Sequence, residues 1–303
     1  MIQRFFKLET VIRRAPLGMR FLDLVRGVSV TDGLVVSAWR IGTSGPRQIA
    51  FTSPLSGVYG FRTLPGFRLF EVGERPASDW CASPPDVGEP TAEELTSLDT
   101  LQGLLRAEES PPTGANFIVY VEDRQGRFLP QVMLMCLPKE RLVEVPLFSS
   151  PARLAPAGLG VVRGELAIQG SQPLKPASWA LVAASLDSHT YVGVADARGM
   201  FILFVPYASA LPPLEGSPPH GSGNIDQLTW PLTISVFYQP SRQQFVPDLD
   251  PPDILSILEQ GRATVYDQVG VPGSSLVRSI RFGGDLVVTT LGQSQLLVDP
   301  APP

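Results

Sequence analysis

The stretch GELAIQGSQPLKPASWALVAASLDSHTYVGVADARGMFILFVPY, residues 164–207, decides the fold. Short apolar runs (GELAIQG, PASWALVAAS, TYVGVAD, MFILFVPY) are separated by turn-forming Gly, Pro, Asp and Ser, the pattern of brief strands rather than long helices. In MFILFVP the two-residue period of a strand puts Phe201 and Leu203 on one face and Ile202 and Phe204 on the other. Both faces are apolar. One face should meet a sandwich core and the other a covering element. Residues 160–240 are therefore expected to form one antiparallel β-sandwich.

Downstream, WPLTISVFY continues the β pattern after LPPLEGSPPHGSGN (211–224), which is too rich in proline and glycine for regular structure. Beyond it, Asp250 is a candidate cap for a short helix carrying Pro251 and Pro252 in its first turn and running through DILSILEQ. SLVRSIRFGGDLVVTT reads as a hairpin turning at Gly283-Gly284, and LLVDPAPP as a frayed tail. These pieces suggest a C-terminal helix-hairpin arm that reaches a partner. On that reading, deleting residues 248–303 would leave a folded body.

Upstream, LVVSAW (34–39), FTSPLSGVYGF (51–61), NFIVYVED (116–123), QVMLMCLP (131–138) and RLVEVPLF (141–148) read as strands. An insert at about 73–115 interrupts them. It begins as a proline-rich loop and continues as a helix with Leu95, Leu98, Leu101 and Leu105 at helical spacing, and Thr91 and Glu94 as a capping box. The expected organisation is a first β-sandwich over 1–150, a second over 151–245, and the arm over 246–303.

A local pattern recurs in VEDRQGRF, VADARGMF and TSPLSGVY: a strand, a turn ending in glycine, and an aromatic two residues later. Asp123 and Asp196 stand three residues before Gly126 and Gly199, while Pro54 holds that place before Gly57. The physical reading is a hairpin. Asp starts the turn by a side-chain hydrogen bond, glycine takes the left-handed position, and Phe128, Phe201 or Tyr59 falls on the core face.

With Gly170, Pro173, Leu174, Ala177, Asp196, Gly199, Phe201 and Pro206, residues 164–207 resemble the carboxypeptidase regulatory-like, or transthyretin-like, β-sandwich. Residues 27–66 resemble a more distant copy through Gly27, Gly57, Tyr59, Phe61, Leu64, Pro65 and Gly66; Lys175-Pro176 departs from the family's proline-glycine turn. The resemblance implies an all-β fold of tandem transthyretin-like or immunoglobulin-like antiparallel sandwiches, with an accessory role and no catalytic residues to carry over. Most of the chain is also similar to accessory proteins of phage-tail-like contractile injection systems, through RFLDLVRGVSVTDGLVV, VEDRQGRFLP, VPLFSSPARLAPAGLGVVRGEL and RSIRFGGDLVV. That likeness implies a baseplate, spike or cap position.

Bulk properties narrow the classes. Over 303 residues, 44% are apolar and 17% charged, which supplies enough material for folded cores. A net charge of −5 argues against nucleic acid, whose phosphates demand a concentrated basic surface. The apolar runs are far too short to span a membrane, and the charged start MIQRFFKLETVIRR does not read as a secretory signal. Synthesis in the cytoplasm is expected, with a place in an exported or cell-anchored particle left open. Cys136 reads as a buried core thiol and Cys81 as an exposed one, which favours a reducing compartment.

Candidate chemistry is sparse. His189 has Asp187 and Ser188 as chain neighbours, but a triad needs side chains converging from separate segments, so a hairpin-loop histidine is the better reading. His220 reads as a loop residue. Asp248, Asp250 and Asp253 lack the interleaved glycines of a calcium loop, and Glu108-Glu109 reads as a solvated helix end. Trp39, Trp80, Trp179 and Trp230 could stack on sugars, but tryptophans of a β-sandwich are more often core or interface residues. No catalytic, cofactor-binding or metal residues are expected, and no cofactor or small-molecule substrate. The expected role is a non-catalytic assembly subunit whose partners are protein subunits, the alternative being a carbohydrate- or surface-binding module.

Overall fold

A computed structural model describes residues 15–42, 46–67, 115–139, 141–207 and 228–302. The insert helix, Trp80, Cys81, Glu108-Glu109 and His220 lie outside the described residues. The regular structure of the described residues is almost entirely strand, arranged as two stacked β-sandwiches. The fold is all-β.

The first sandwich pairs two sheets. One contains β1 (Gly18–Asp23), β2 (Val28–Ser29), β5 (Phe51–Thr52), β6 (Tyr59–Gly60) and β9 (Val143–Leu147). The other runs β4-β3-β7-β8, with β3 (Leu34–Arg40), β4 (Gln48–Ile49), β7 (Ala115–Asp123) and β8 (Gln131–Leu137). Leu17, Phe21, Tyr59, Phe61, Phe67, Phe117, Met133 and Phe148 fill the space between them, with Phe21 and Tyr59 edge-to-face at 5.2 Å.

The second sandwich contains β10 (Leu159–Ile168), β11 (Leu181–Leu186), β12 (His189–Val194), β13 (Met200–Pro206) and β14 (Thr229–Phe237). It also contains β15 (Thr264–Gln268), β16 (Val271–Gly273), β17 (Leu276–Arg281), β18 (Asp285–Val288) and β19 (Leu296–Asp299). The path β13-β10-β19-β15-β16, with β18 also on β10, faces the sheet β12-β11-β14-β17. Phe201, Leu203 and Val205 enter this core, while Ile202 and Phe204 pack on the opposite face with Val161, Leu159 and Val25. The two-faced reading of MFILFVP holds, and the covering element is the first sandwich.

Residues 246–303 depart from the expected arm. The turn at Gly283 forms, but its strands do not pair with each other: β17 joins β14 antiparallel, and β18 crosses to β10 in parallel. A Gly-Gly turn fixes the local reversal and not the sheet each strand then enters. The tail is not frayed either. Its Leu296, Leu297 and Val298 are buried in β19, parallel to Leu166–Ile168 of β10, and Ala301 N–H donates to the Tyr238 carbonyl. The sandwich over 160–240 is therefore incomplete without 264–299. It is also not wholly antiparallel, since β18 and β19 run parallel to β10 as β9 does to β1.

The single described α-helix, α1 (Ile254–Leu258), is capped by Asp253 rather than Asp250. The Asp253 carboxylate accepts from Ser256 N–H, three residues on, the usual N-cap geometry; Pro251 and Pro252 precede the cap. Ile254, Ile257 and Leu258 pack into the first core.

The recurrent glycine turns have the expected geometry, with one topological change. Gly57, Gly126 and Gly199 take φ of +65°, +67° and +81°. Asp123 accepts from Gln125 and Arg127 N–H, and Asp196 from Arg198 and Met200 N–H. At Gly57 the reversal is closed from Ser53, whose carbonyl accepts its N–H. The first two turns join paired strands, β5–β6 and β7–β8, but the turn at Gly199 carries the chain from β12 in one sheet to β13 in the other. A Cβ on Gly199 would stand 2.4 Å from the Leu166 carbonyl oxygen, whereas one on Gly126 would meet nothing within 4 Å. Gly199→Ala should cost more than the about 1–3 kcal/mol of a left-handed non-glycine residue, and Gly126→Ala no more than that. Chemical denaturation of the two variants checks the order; equal losses would contradict the close approach.

Candidate interaction surface

Among the described residues, the polar side chains singled out by the sequence do not assemble into a reactive centre. Asp187 (φ +53°) and Ser188 form the two-residue turn between β11 and β12, and His189 opens β12 exposed to solvent, its Nδ1 3.3 Å from the Ser188 hydroxyl. Asp248 and Asp250 are exposed and Asp253 is buried, so the acidic run does not converge. Among the described residues no group of three or more His, Cys, Asp and Glu side chains could hold a metal ion, and no helix is long and apolar enough to cross a membrane. Cys136, half-buried on β8, is disulfide-bonded rather than a free core thiol, which removes the free-thiol reason for expecting a reducing compartment.

The tryptophans divide. Trp179 is 4% exposed, takes a left-handed φ of +60°, and packs into the first core from the segment leading to β11. Trp230 sits half-buried against Tyr207 and Phe282, at 5.2 and 6.4 Å, with interplanar angles of 39° and 53°. These rings tilt against one another and present no flat platform, and the Tyr207 hydroxyl accepts from Gly283 N–H. Trp39 is half-buried on the outer face of β3, with the Arg47 guanidinium 4.3 Å above its ring.

Sequence reasoning missed three polar groups that join or seal the sandwiches. The first is Arg153, from the loop-like SSPARLAPAG. Its guanidinium forks onto Asp23 at 3.0 and 2.6 Å, donates to the Ser149 hydroxyl at 3.0 Å, and lies between the rings of Phe128 and Phe204. Phe128 belongs to the first core and Phe204 to the face shared by the sandwiches. The pair is nearly dry, with side chains 7% and 5% exposed.

The second is a glutamine cluster. Gln260 donates to the Trp179 and Ile257 carbonyls and accepts from Gln239 N–H and Gln243 Nε2, and Gln239 in turn reaches Gly261 N–H and the Pro302 carbonyl. This network ties α1 and the C-terminus to the second sandwich, and its buried amides are satisfied as burial requires.

The third is Asp253. Besides capping α1 it accepts from Leu134 N–H at 2.8 Å, closing a ladder position on the free edge of β8. Burial pushes its carboxyl up to about 6, against the lowering effect of the Leu134, Ser256 and Leu255 N–H groups, with Glu259 adding a smaller upward push. A folded pKa above the unfolded 3.8 means the folded form binds the proton more readily. The stability this gives is present in full below the unfolded value and is lost as pH rises through about 6. Between pH 4 and 7 the wild-type chain should lose about 2–3 kcal/mol through this group, and Asp253→Asn should flatten that slope. Urea unfolding across that range checks it; an unchanged slope would contradict the burial of the charge.

Among the described residues, the edge formed by 46–52 has no strand beyond it. The segment 46–52 crosses from one sheet to the other at Ala50, with β4 bordering β3 and β5 bordering β6. Its side chains are unusually apolar for solvent: Ile49 is 72% exposed and Phe51 39%, and Leu55 beyond them is fully exposed. Phe51 lies across Gly60 with the Arg62 guanidinium 5.1 Å from its ring. Exposed aromatic, aliphatic and arginine side chains in one strip have the composition of a protein interface.

No known family profile matches the chain, and no curated protein matches it. Three solved structures are similar over long stretches at very low scores. They are the TIE protein of Bacillus anthracis (8% identity, TM-score 0.19, covering 88% of this chain and 44% of that one), the shaft pilin SpaA of Lactobacillus rhamnosus GG (7%, 0.21, 95% and 98%), and a putative adhesin from Bacteroides ovatus (8%, 0.20, 100% and 100%). The chain thus spans less than half the length of the Bacillus anthracis protein. Identities of this size at such TM-scores carry no argument about function.

Proposed function

We propose that the chain is a non-catalytic structural subunit that works through protein–protein contacts. The observation that carries this reading is the apolar strip along 49–55 on a body whose two sandwiches are locked together by a dry ion pair and a shared face. A rigid body with one adhesive edge suits a building block. The finer assignment, to a baseplate or other accessory position of a phage-tail-like contractile injection system, is supported by the sequence resemblance of residues 20–36, 121–130, 145–166 and 278–288. Stacking on carbohydrate finds less support, because the half-exposed rings of Tyr207, Trp230 and Phe282 are tilted.

Sedimentation of gently lysed native cells tests the proposal. The chain should travel in a particle far larger than its own 32.7 kDa. A free species of its own mass at every concentration would overturn it.

A further inference from the structure

We propose that the β4–β5 edge takes up an extended, acidic strand of a partner protein by strand addition. Ala50 N–H is spent on the Val36 carbonyl and Ser53 N–H on the Val58 carbonyl. Consecutive residues of a strand turn their backbone groups to opposite sides, so Ile49 and Thr52 present theirs outward. Three other edges carry blocks of the kind that sheets use against unwanted pairing. Asp253 closes β8 at Leu134, Pro146 interrupts β9, and Pro272 interrupts β16. The β4–β5 strip carries no such block between Pro46 and Pro54.

Charge selects the occupant. Arg47 and Arg62 are exposed, stack on Trp39 and Phe51, and are ion-paired to none of the described residues. One guanidinium lies over Trp39 beside β4 and the other over Phe51 on β5. Two copies of this chain meeting there would set guanidinium against guanidinium, whereas a strand with apolar residues beside Ile49 and Phe51 and acidic residues beside Arg47 and Arg62 would cover the strip and pair both cations.

The assignment rests on the assembly reading, and its test addresses the edge alone. The full chain is mixed with a soluble synthetic peptide of central valines flanked by glutamates, or by lysines, and amide exchange is followed by mass spectrometry. The glutamate peptide should slow exchange over residues 47–53 and bind about tenfold more tightly than the lysine peptide, as two exposed ion pairs would give. Arg47→Glu combined with Arg62→Glu should reverse that preference, and Ile49→Lys should abolish binding without changing the melting temperature. No slowing at 47–53, equal binding of the two peptides, or protection there that grows with protein concentration in the absence of peptide (a second copy) would each overturn the proposal. Such a failure, with the chain still found in a large particle, would move the contact elsewhere and leave the assembly reading standing.

Discussion

Replacing Arg153 with methionine should lower the free energy of unfolding by about 3–5 kcal/mol, because it strands the Asp23 carboxylate in a dry site without its partner. The cost comes from the orphaned charge more than from the lost attraction. Asp23 is 4% exposed, and the Val25 N–H at 3.0 Å is too little to replace a forked guanidinium. The variant also loses the cation between Phe128 and Phe204 and so loosens the seam between the sandwiches. Asp23→Leu combined with Arg153→Met should recover most of the loss, apart from the acceptor that Val25 N–H then lacks. Urea denaturation of the two variants decides the matter. A single variant within about 0.5 kcal/mol of wild type, the range of ordinary surface changes, would show that the pair is not a joint.

The larger effect is expected on deleting residues 248–303, which should abolish folding and leave aggregated protein. The deletion removes Ile254, Ile257 and Leu258 from the first core and Val265, Leu276, Ile280, Val288, Leu296 and Val298 from the second. At about 1.5–3 kcal/mol for each of these nine buried side chains, the loss reaches or exceeds the 5–15 kcal/mol that holds a typical domain together. It also exposes one whole side of β10, from Val161 to Ile168, where β18 and β19 were paired. Solubility and circular dichroism report the outcome. A soluble, cooperatively melting truncated chain would restore the arm reading.

What the sequence disclosed and what it hid follow from the range of the interactions. The alternation in MFILFVP, the Asp-to-Gly turns at 123–126 and 196–199, and most strand positions are set by neighbours within a few residues, and all were legible. The fate of FGGDLVV and LLVDPAPP was not, because parallel pairing with β10 joins segments more than a hundred residues apart and leaves no local mark. Asp250 and Asp253 both resemble caps. The choice between them lay in Ser256, whose N–H stands three residues from Asp253, and in a contact with Leu134 that no local pattern announces. The candidate edge was half visible. FTSPLSGVYGF read as strand and turn, but exposure of Ile49, Phe51 and Leu55 is a property of what fails to cover them, and only the folded arrangement displays it.

The account turns on residues 47–53 being open in the free chain and covered at work. Amide exchange at Ile49 and Thr52 should be rapid in the isolated protein and strongly slowed in the particle recovered from native cells. Rapid exchange at both positions in the free chain and in the particle alike would contradict the account.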